Sequence, residues 1–240
     1  MNPANEPRTG SKRAPSLASL GHTSALVGVM LAVAITGTLL QRAGAPPASR
    51  TAGPGPLATL IVRQYLPLLL VNGLLVLYVA RLFRPRNVLP ELLGRGWRTA
   101  GDAGLDLLYA LLAFVLICVL EGLARRLFAG RNAAVSALLP STEAERLTWV
   151  LVASAVGFCE ELVYRGYLQT QLAAFTRSPT LGLLLQAVLF GLAHLEQGSG
   201  AALRVGVYGL IFGLLARQRA SLLPGIACHV GIDLVSGLFG

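Results

Sequence analysis

Residues 158 to 171, Phe-Cys-Glu-Glu-Leu-Val-Tyr-Arg-Gly-Tyr-Leu-Gln-Thr-Gln, set two adjacent carboxylates and an arginine inside a long apolar run. An ionisable side chain at bilayer depth costs at least about 2.5–3.5 kcal/mol, so such groups are rare there and tend to face a polar interior or a cavity. Glu161 and Arg165 stand four apart with the acid on the N-terminal side, the favourable order for a helical ion pair, and Glu160 points about 100° away from that pair. One carboxylate has a partner and the other is left over. Further along, Phe190 and His194 are four apart, as are His229 and Asp233, which therefore share a helix face. The alternative reading is a buried packing network, and a lone buried histidine is usually a satisfied core residue. Two histidines, three carboxylates and an arginine spread over three apolar helices favour a site.

Burial disfavours the charged form of a carboxylate, which suits the unpaired Glu160 to take a proton from water and return it. Imidazoles can donate to a developing oxyanion, with more effect where water is scarce. Together these groups point to hydrolysis, most simply of an amide bond. Glu160, His194 and His229 are equally the donor set of several catalytic Zn2+ sites that keep one position open for water, and residue types alone do not choose between the two chemistries. His-Glu-x-x-His, the helix of the soluble zinc proteases, is absent. Cys159 and Cys228 adjoin site residues, but neighbours in sequence face different ways on a helix, so a cysteine nucleophile is disfavoured.

The elements that must carry these residues are membrane helices. Of the 240 residues, 54% are hydrophobic and only 13% charged, with a mean hydropathy of +0.65. Apolar runs of 17 to 21 residues recur, each close to the roughly 20 needed to cross a hydrocarbon core. Lipid offers backbone groups no partner, so such runs must be helical, and the alternating pattern of a membrane barrel is missing. The expected fold class is all-α, a polytopic transmembrane bundle of about seven helices. The net charge of +9 comes almost wholly from arginine, in short clusters between apolar runs such as Arg81, Arg84 and Arg86. That placement suits lipid headgroups and orientation rather than nucleic acid. Counting these clusters on alternating sides puts the N-terminus in the cytoplasm. Cys118, Cys159 and Cys228 all fall in apolar runs, so no disulfide framework is indicated.

Along the chain, residues 1–23 form a polar, disordered tail, and the apolar run at 24–40 is read as a retained first helix rather than a cleaved signal peptide. Residues 41–56 are a proline-rich loop. Residues 24–123 hold three scaffold helices, with the second and third near 60–80 and 105–123, and a short apolar patch at 133–139 suits the interface. Residues 142–240 form a four-helix catalytic core. Thr142 and Glu145 fit a capping box that opens the fourth helix, which continues past the carboxylates to about Phe175. Ser178-Pro179 fits the N-cap and first position of the fifth, which ends near Leu195. Glu160 lies 17 residues before Arg177 and His194 17 after it, so an antiparallel pair brings acid and histidine to one depth. Gly209 and Gly213 on the sixth helix permit close helix contact.

Glu160-Glu161-x-x-x-Arg165, Phe190-x-x-x-His194 and His229-x-x-x-Asp233 resemble the three motifs of the CPBP intramembrane proteases, which include CAAX prenyl endopeptidases and bacteriocin-processing or immunity proteins. The resemblance spans about Leu147 to Leu238, and the approach Gly209-Leu-Ile-Phe-Gly213, then Ser221-Leu-Leu-Pro224, is similar to the family's last segment. It implies that Glu160 activates water with His194 as partner, that His229 and Asp233 line an oxyanion pocket, and that Glu161, Arg165 and Phe190 support the site. The family often has asparagine at the position of Asp233. Ionised aspartate cannot donate to an oxyanion, so Asp233 is expected to be protonated, to orient His229 or to bind metal.

The expected function is an endopeptidase of the bilayer acting on a membrane protein or a lipidated or other peptide substrate, in a bacterial inner membrane, with no nucleic-acid partner. The rivals are a component of a proton-coupled transporter and a non-catalytic immunity or interaction protein. No second copy of any motif supports the internal repeats common in transporters.

Overall fold

The computed structural model describes residues 17–43, 57–82, 88–127 and 138–239. The expected disordered tail, the loop at 41–56 and the patch at 133–139 therefore lie largely outside the described residues. Among the described residues eight helices follow in order: α1 Leu20–Arg42, α2 Leu57–Leu82, α3 Val88–Leu93, α4 Ala100–Leu127, α5 Glu143–Thr176, α6 Pro179–Leu192, α7 Ser199–Arg219 and α8 Leu223–Phe239. Seven match the expected helices, and the short α3 is additional. The described residues hold no strand. The protein is an all-α bundle, and α1, α2, α4, α5 and α7 are each long and apolar enough to cross a membrane. The expectation of seven spans is thereby narrowed. With 14 residues, α6 falls short of the roughly 20 a full crossing needs, while α8, with 17, stands at the short end of the spanning range.

The signals that start and stop the core helices behave as their chemistry dictates. Thr142 caps α5 by accepting from the Glu145 N–H, while the Glu145 carboxylate reaches back to the N–H groups of Thr142 at 3.3 Å and Ser141 at 2.7 Å. The turn out of α5 places Arg177 in the left-handed region at φ 57°, after which the Ser178 hydroxyl accepts from Leu181 N–H and Pro179 opens α6. Two wide π-helical stretches interrupt α-geometry, Ile61–Tyr65 in α2 and Glu161–Leu168 in α5. The first stands just ahead of Pro67, whose missing N–H breaks the ladder. The second occupies the motif region, where π-bulges are frequent in functional proteins.

Helix α5 is the centre of the bundle. All eight residues of its wide stretch are buried, and Leu162, Val163, Tyr164, Tyr167 and Leu168 among them meet Leu26 and Met30 of α1, Val79 of α2, Leu92 of α3 and Phe190 of α6 in one cluster. A segment enclosed on every face has no water to meet its charges, so Glu161 and Arg165 must satisfy each other. Large apolar side chains such as Val33, Leu74, Leu111 and Leu151 stay exposed on the outer faces, as a lipid-facing belt requires.

Close approach of backbones positions α6 and α7. A Cβ at Gly191 would lie 2.6 Å from Ala202 O, and one at Gly209 would lie 3.1 Å from Ala187 Cα, so side chains are excluded along this seam. The expected packing role of Gly209 and Gly213 is seen, with Gly213 facing Leu183, Gln186 and Gln169. On the side from which α8 starts, Arg95 N–H donates to Ala220 O at 2.7 Å and Leu222 N–H to Leu93 O at 2.9 Å, tying the loop after α3 to the turn before α8. Asp106 of α4 fastens the same corner, accepting from Trp97 Nε1 at 2.9 Å and from Arg219 Nε at 2.6 Å. The three cysteines are free, as expected from their dispersal over apolar runs.

Candidate active site

Glu160 is the last residue of regular α-helix before the wide stretch, and Glu161 is the first residue within it. Arg165, one turn on, donates from Nη1 to Glu161 Oε1 at 2.7 Å, and both side chains are completely enclosed. The guanidinium lies over the Phe190 ring at 4.1 Å and near the Phe212 ring at 5.0 Å. Aromatic faces of α6 and α7 thus stand where water would otherwise solvate the cation. The ion pair expected from the four-residue spacing is present.

His229 comes in from α8. Its Nδ1 is 3.0 Å from Glu161 Oε1, so that single oxygen serves both Arg165 and His229. A carboxylate oxygen only accepts, and the proton in this bond therefore belongs to Nδ1. The imidazole stacks on Phe212 with centroids 5.0 Å apart and planes at 16°, and Phe190 meets it edge-on at 5.9 Å. Nε2 points the other way, 3.7 Å from Glu160 Oε2 and 3.7 Å from Asp233 Oδ2. These gaps exceed a hydrogen bond and leave the groups facing a common space. Asp233 is the most open of the set, with 29% of its side chain exposed against 13% for Glu160. Its backbone carbonyl accepts from Trp149 Nε1 at 2.9 Å, which anchors α8 to the first turns of α5.

His194 is placed differently from the expectation. Helix α6 ends at Leu192 and Ala193 caps it, so His194 stands in the turn to α7 at φ −110°, ψ 19° rather than on the helix. Counting helical rise from Arg177 carries it too far along a straight axis. Its Nδ1 is 2.8 Å from Phe190 O. A carbonyl accepts, so Nδ1 carries the proton and a neutral ring keeps its lone pair on Nε2. No hydrogen bond joins Glu160 to His194 among the described residues. Phe190 links the two histidines, packing against His194 at 4.9 Å and against His229 at 5.9 Å.

Sequence reasoning missed the contact between Glu161 and His229, the floor made by Phe212, and Gly225. A Cβ at Gly225 would come within 3.0 Å of Glu161 Oε2, so the glycine makes room for the inner carboxylate. The segment Gly209–Gly213 carried a signal for Phe212, since its glycines pull α7 against α6. The possible ligand set Glu160, His194 and His229 is not gathered: among the described residues no three His, Cys, Asp or Glu side chains converge closely enough to hold a metal ion.

The geometry is one of a buried carboxylate, two imidazoles with assigned donor directions and a partly open carboxylate, all borne on the last third of the chain. Residues 142–235 match the family model for type II CAAX prenyl endopeptidases, described as Rce1-like. The match is consistent with a CPBP family intramembrane protease and supports an intramembrane endopeptidase of the CAAX type in general. This Rce1-like segment begins at the N-cap of α5 and ends two residues past Asp233, so it contains every residue singled out above. Helices α1 to α4 lie outside it. No curated protein and no solved structure matches the chain. Five long apolar helices together with the Rce1-like segment fit an integral membrane protein.

Proposed function

We propose that the protein hydrolyses a peptide bond of a membrane-borne substrate, with Glu160 as the base that activates water. The observation that supports this most is the position of Glu160 next to its paired neighbour. Glu161 is committed to Arg165 and His229, whereas Glu160 Oε2 faces His229 Nε2 across 3.7 Å with no hydrogen-bond partner among the described residues. That gap is long for a direct bond and right for an intervening water or substrate group.

In the proposed cycle, a water held between Glu160 and the lone pair of His194 Nε2 attacks the scissile carbonyl carbon as Glu160 accepts its proton. Charge develops on the carbonyl oxygen on the side lined by His229 and Asp233, where His229 donates from Nε2 when both ring nitrogens carry protons. The tetrahedral intermediate collapses with cleavage of the C–N bond, and Glu160 returns the proton to the departing amine nitrogen. Positioned acid–base transfer of this kind contributes about 10²–10⁴ to rate. No step is routed through a metal. The family match supports a lipidated C-terminal peptide as the leading substrate, with an unmodified transmembrane peptide as the alternative. The bilayer is the medium in which enzyme and substrate meet.

The test is cleavage in liposomes. Purified protein is mixed with a prenylated C-terminal peptide or with an unmodified transmembrane peptide, and the products are read by mass spectrometry. Cleavage of the prenylated peptide by the wild type but not by folded Glu160→Gln is the expected result. Undiminished cleavage by Glu160→Gln would remove Glu160 from the role of base.

A further inference from the structure

Glu161 has a second partner that its spacing from Arg165 does not announce. Its Oε1 lies 2.7 Å from Arg165 Nη1 and 3.0 Å from His229 Nδ1, joining α5 to α8 through one enclosed oxygen. Its other oxygen is buried without a hydrogen-bond partner among the described residues and rests against Gly225 of α8, where a Cβ would come within 3.0 Å. The carboxylate is therefore fixed by a cation on its own helix and by a gap left open on the neighbouring one. Below it, the Phe212 ring stacks on the imidazole at 5.0 Å and covers one face of the ring.

From this arrangement we infer that Glu161 is the positioning residue for His229, holding the Nδ1–H form of the ring and thereby aiming Nε2 at the space between Glu160 and Asp233. Arg165 acts one step further out, holding Glu161 in place. An imidazole with a free choice would put its proton on either nitrogen and could rotate to present Nδ1 to Glu160 or Asp233. The bond to Glu161 removes both freedoms, and Nε2 faces the two remaining carboxylates at 3.7 Å each. The pair Glu160-Glu161 thus divides its work, the first carboxylate acting toward the substrate space and the second setting the direction of the histidine that faces it. The consequence for rate rests on the hydrolytic reading above; the orientation of the ring does not.

The two parts separate in one set of measurements. Nitrogen-15 spectra of histidine-labelled protein in bilayers, assigned with His229→Gln, report which ring nitrogen carries hydrogen. A protonated Nδ1 in the wild type is expected, and a ring protonated on Nε2 alone would overturn the inference whatever the enzyme cleaves. In Glu161→Gln the Nδ1–H preference is expected to weaken. Gly225→Ala provides a variant that keeps both charges: its new methyl presses on Oε2, and the Nδ1 resonance should move. In a cleavage assay both variants should lose about 10- to 100-fold in kcat with KM changed less than about twofold, as a displaced reacting group does. A Gly225→Ala protein with unmoved His229 resonances and full kcat would equally refute the positioning role. If the spectra follow the expectation while no peptide is cleaved even by the wild type, the hydrolytic reading fails and the orientation stands.

Discussion

The pair at the centre of the bundle makes a quantitative prediction about stability. Glu161 and Arg165 meet at 2.7 Å with neither side chain exposed, and removal of one partner from such a pair costs about 3–5 kcal/mol because the other charge stays buried and uncompensated. The two single variants should not be equal. Glu161→Gln leaves a full guanidinium whose Nε and Nη2 already lack partners, so its loss should sit near the top of that range. Arg165→Met leaves a carboxylate that still accepts from His229 Nδ1 at 3.0 Å, which offsets part of the loss. Against this, Arg165→Met forfeits the contact over Phe190 at 4.1 Å, an interaction worth about 2 kcal/mol when desolvated. The double variant Glu161→Gln/Arg165→Met carries neither charge, and replacing both partners of a buried pair is often neutral or stabilising. It should lose no more than the milder single variant, so the coupling should be at least the larger single loss, about 5 kcal/mol. Unfolding free energies of the four proteins in bicelles measure that coupling directly. Additive losses, with the double variant as poor as the sum of its singles, would refute the claim that the pair is held by mutual compensation in a dry site.

Other outcomes follow from single features. Glu160→Gln should keep wild-type thermal stability while cleavage falls about 10²-fold or more, and equal loss in stability and cleavage would argue against a chemical role. Gly94 has φ 73° and faces Ala220 O, so Gly94→Val should loosen the corner joining α3 to α8 and lower the thermal midpoint; an unchanged midpoint would mean that the bridge contributes nothing. If Glu160 alone activates the water, as proposed, dialysis against a chelator should leave cleavage unaltered, and reversible inactivation with about one zinc per chain would contradict this. Reporter fusions after residues 50 and 90 flank α2 and should report opposite sides of the membrane, whereas a shared side would remove α2 as a span.

The fold was largely readable because its determinants are local. A lipid environment turns each long apolar run into a helix, and the boundaries of α5 and α6 follow from side chains that cap their own backbone, Thr142 with Glu145 and Ser178 with Pro179. Less readable was what bends or shortens a helix. The wide stretch at Glu161–Leu168 has no proline or paired glycine to announce it. The end of α6 at Leu192 likewise has no proline to announce it, and it falls where Gly191 lies against Ala202 and Gly206 of the helix that returns along it. That early end takes His194 off the helix axis and away from a direct bond with Glu160.

The site shows the same division between local and distant causes. Four-residue spacings gave Glu161 with Arg165 and placed His229 and Asp233 on one face, and both relations are visible at 2.7 Å and 3.7 Å. Spacing along α5 assigned Glu161 wholly to Arg165 because it contains no information about α8. The contact with His229 arises from two helices brought together at a glycine, Gly225, whose sequence neighbours Pro224 and Ile226 carry no sign of a carboxylate opposite. One acid bonded within its helix and across the bundle leaves the adjacent acid without a hydrogen-bond partner among the described residues. The asymmetry of the Glu160-Glu161 pair is thus a tertiary property, created by what α8 presents to each of two residues that are identical in type and consecutive in sequence.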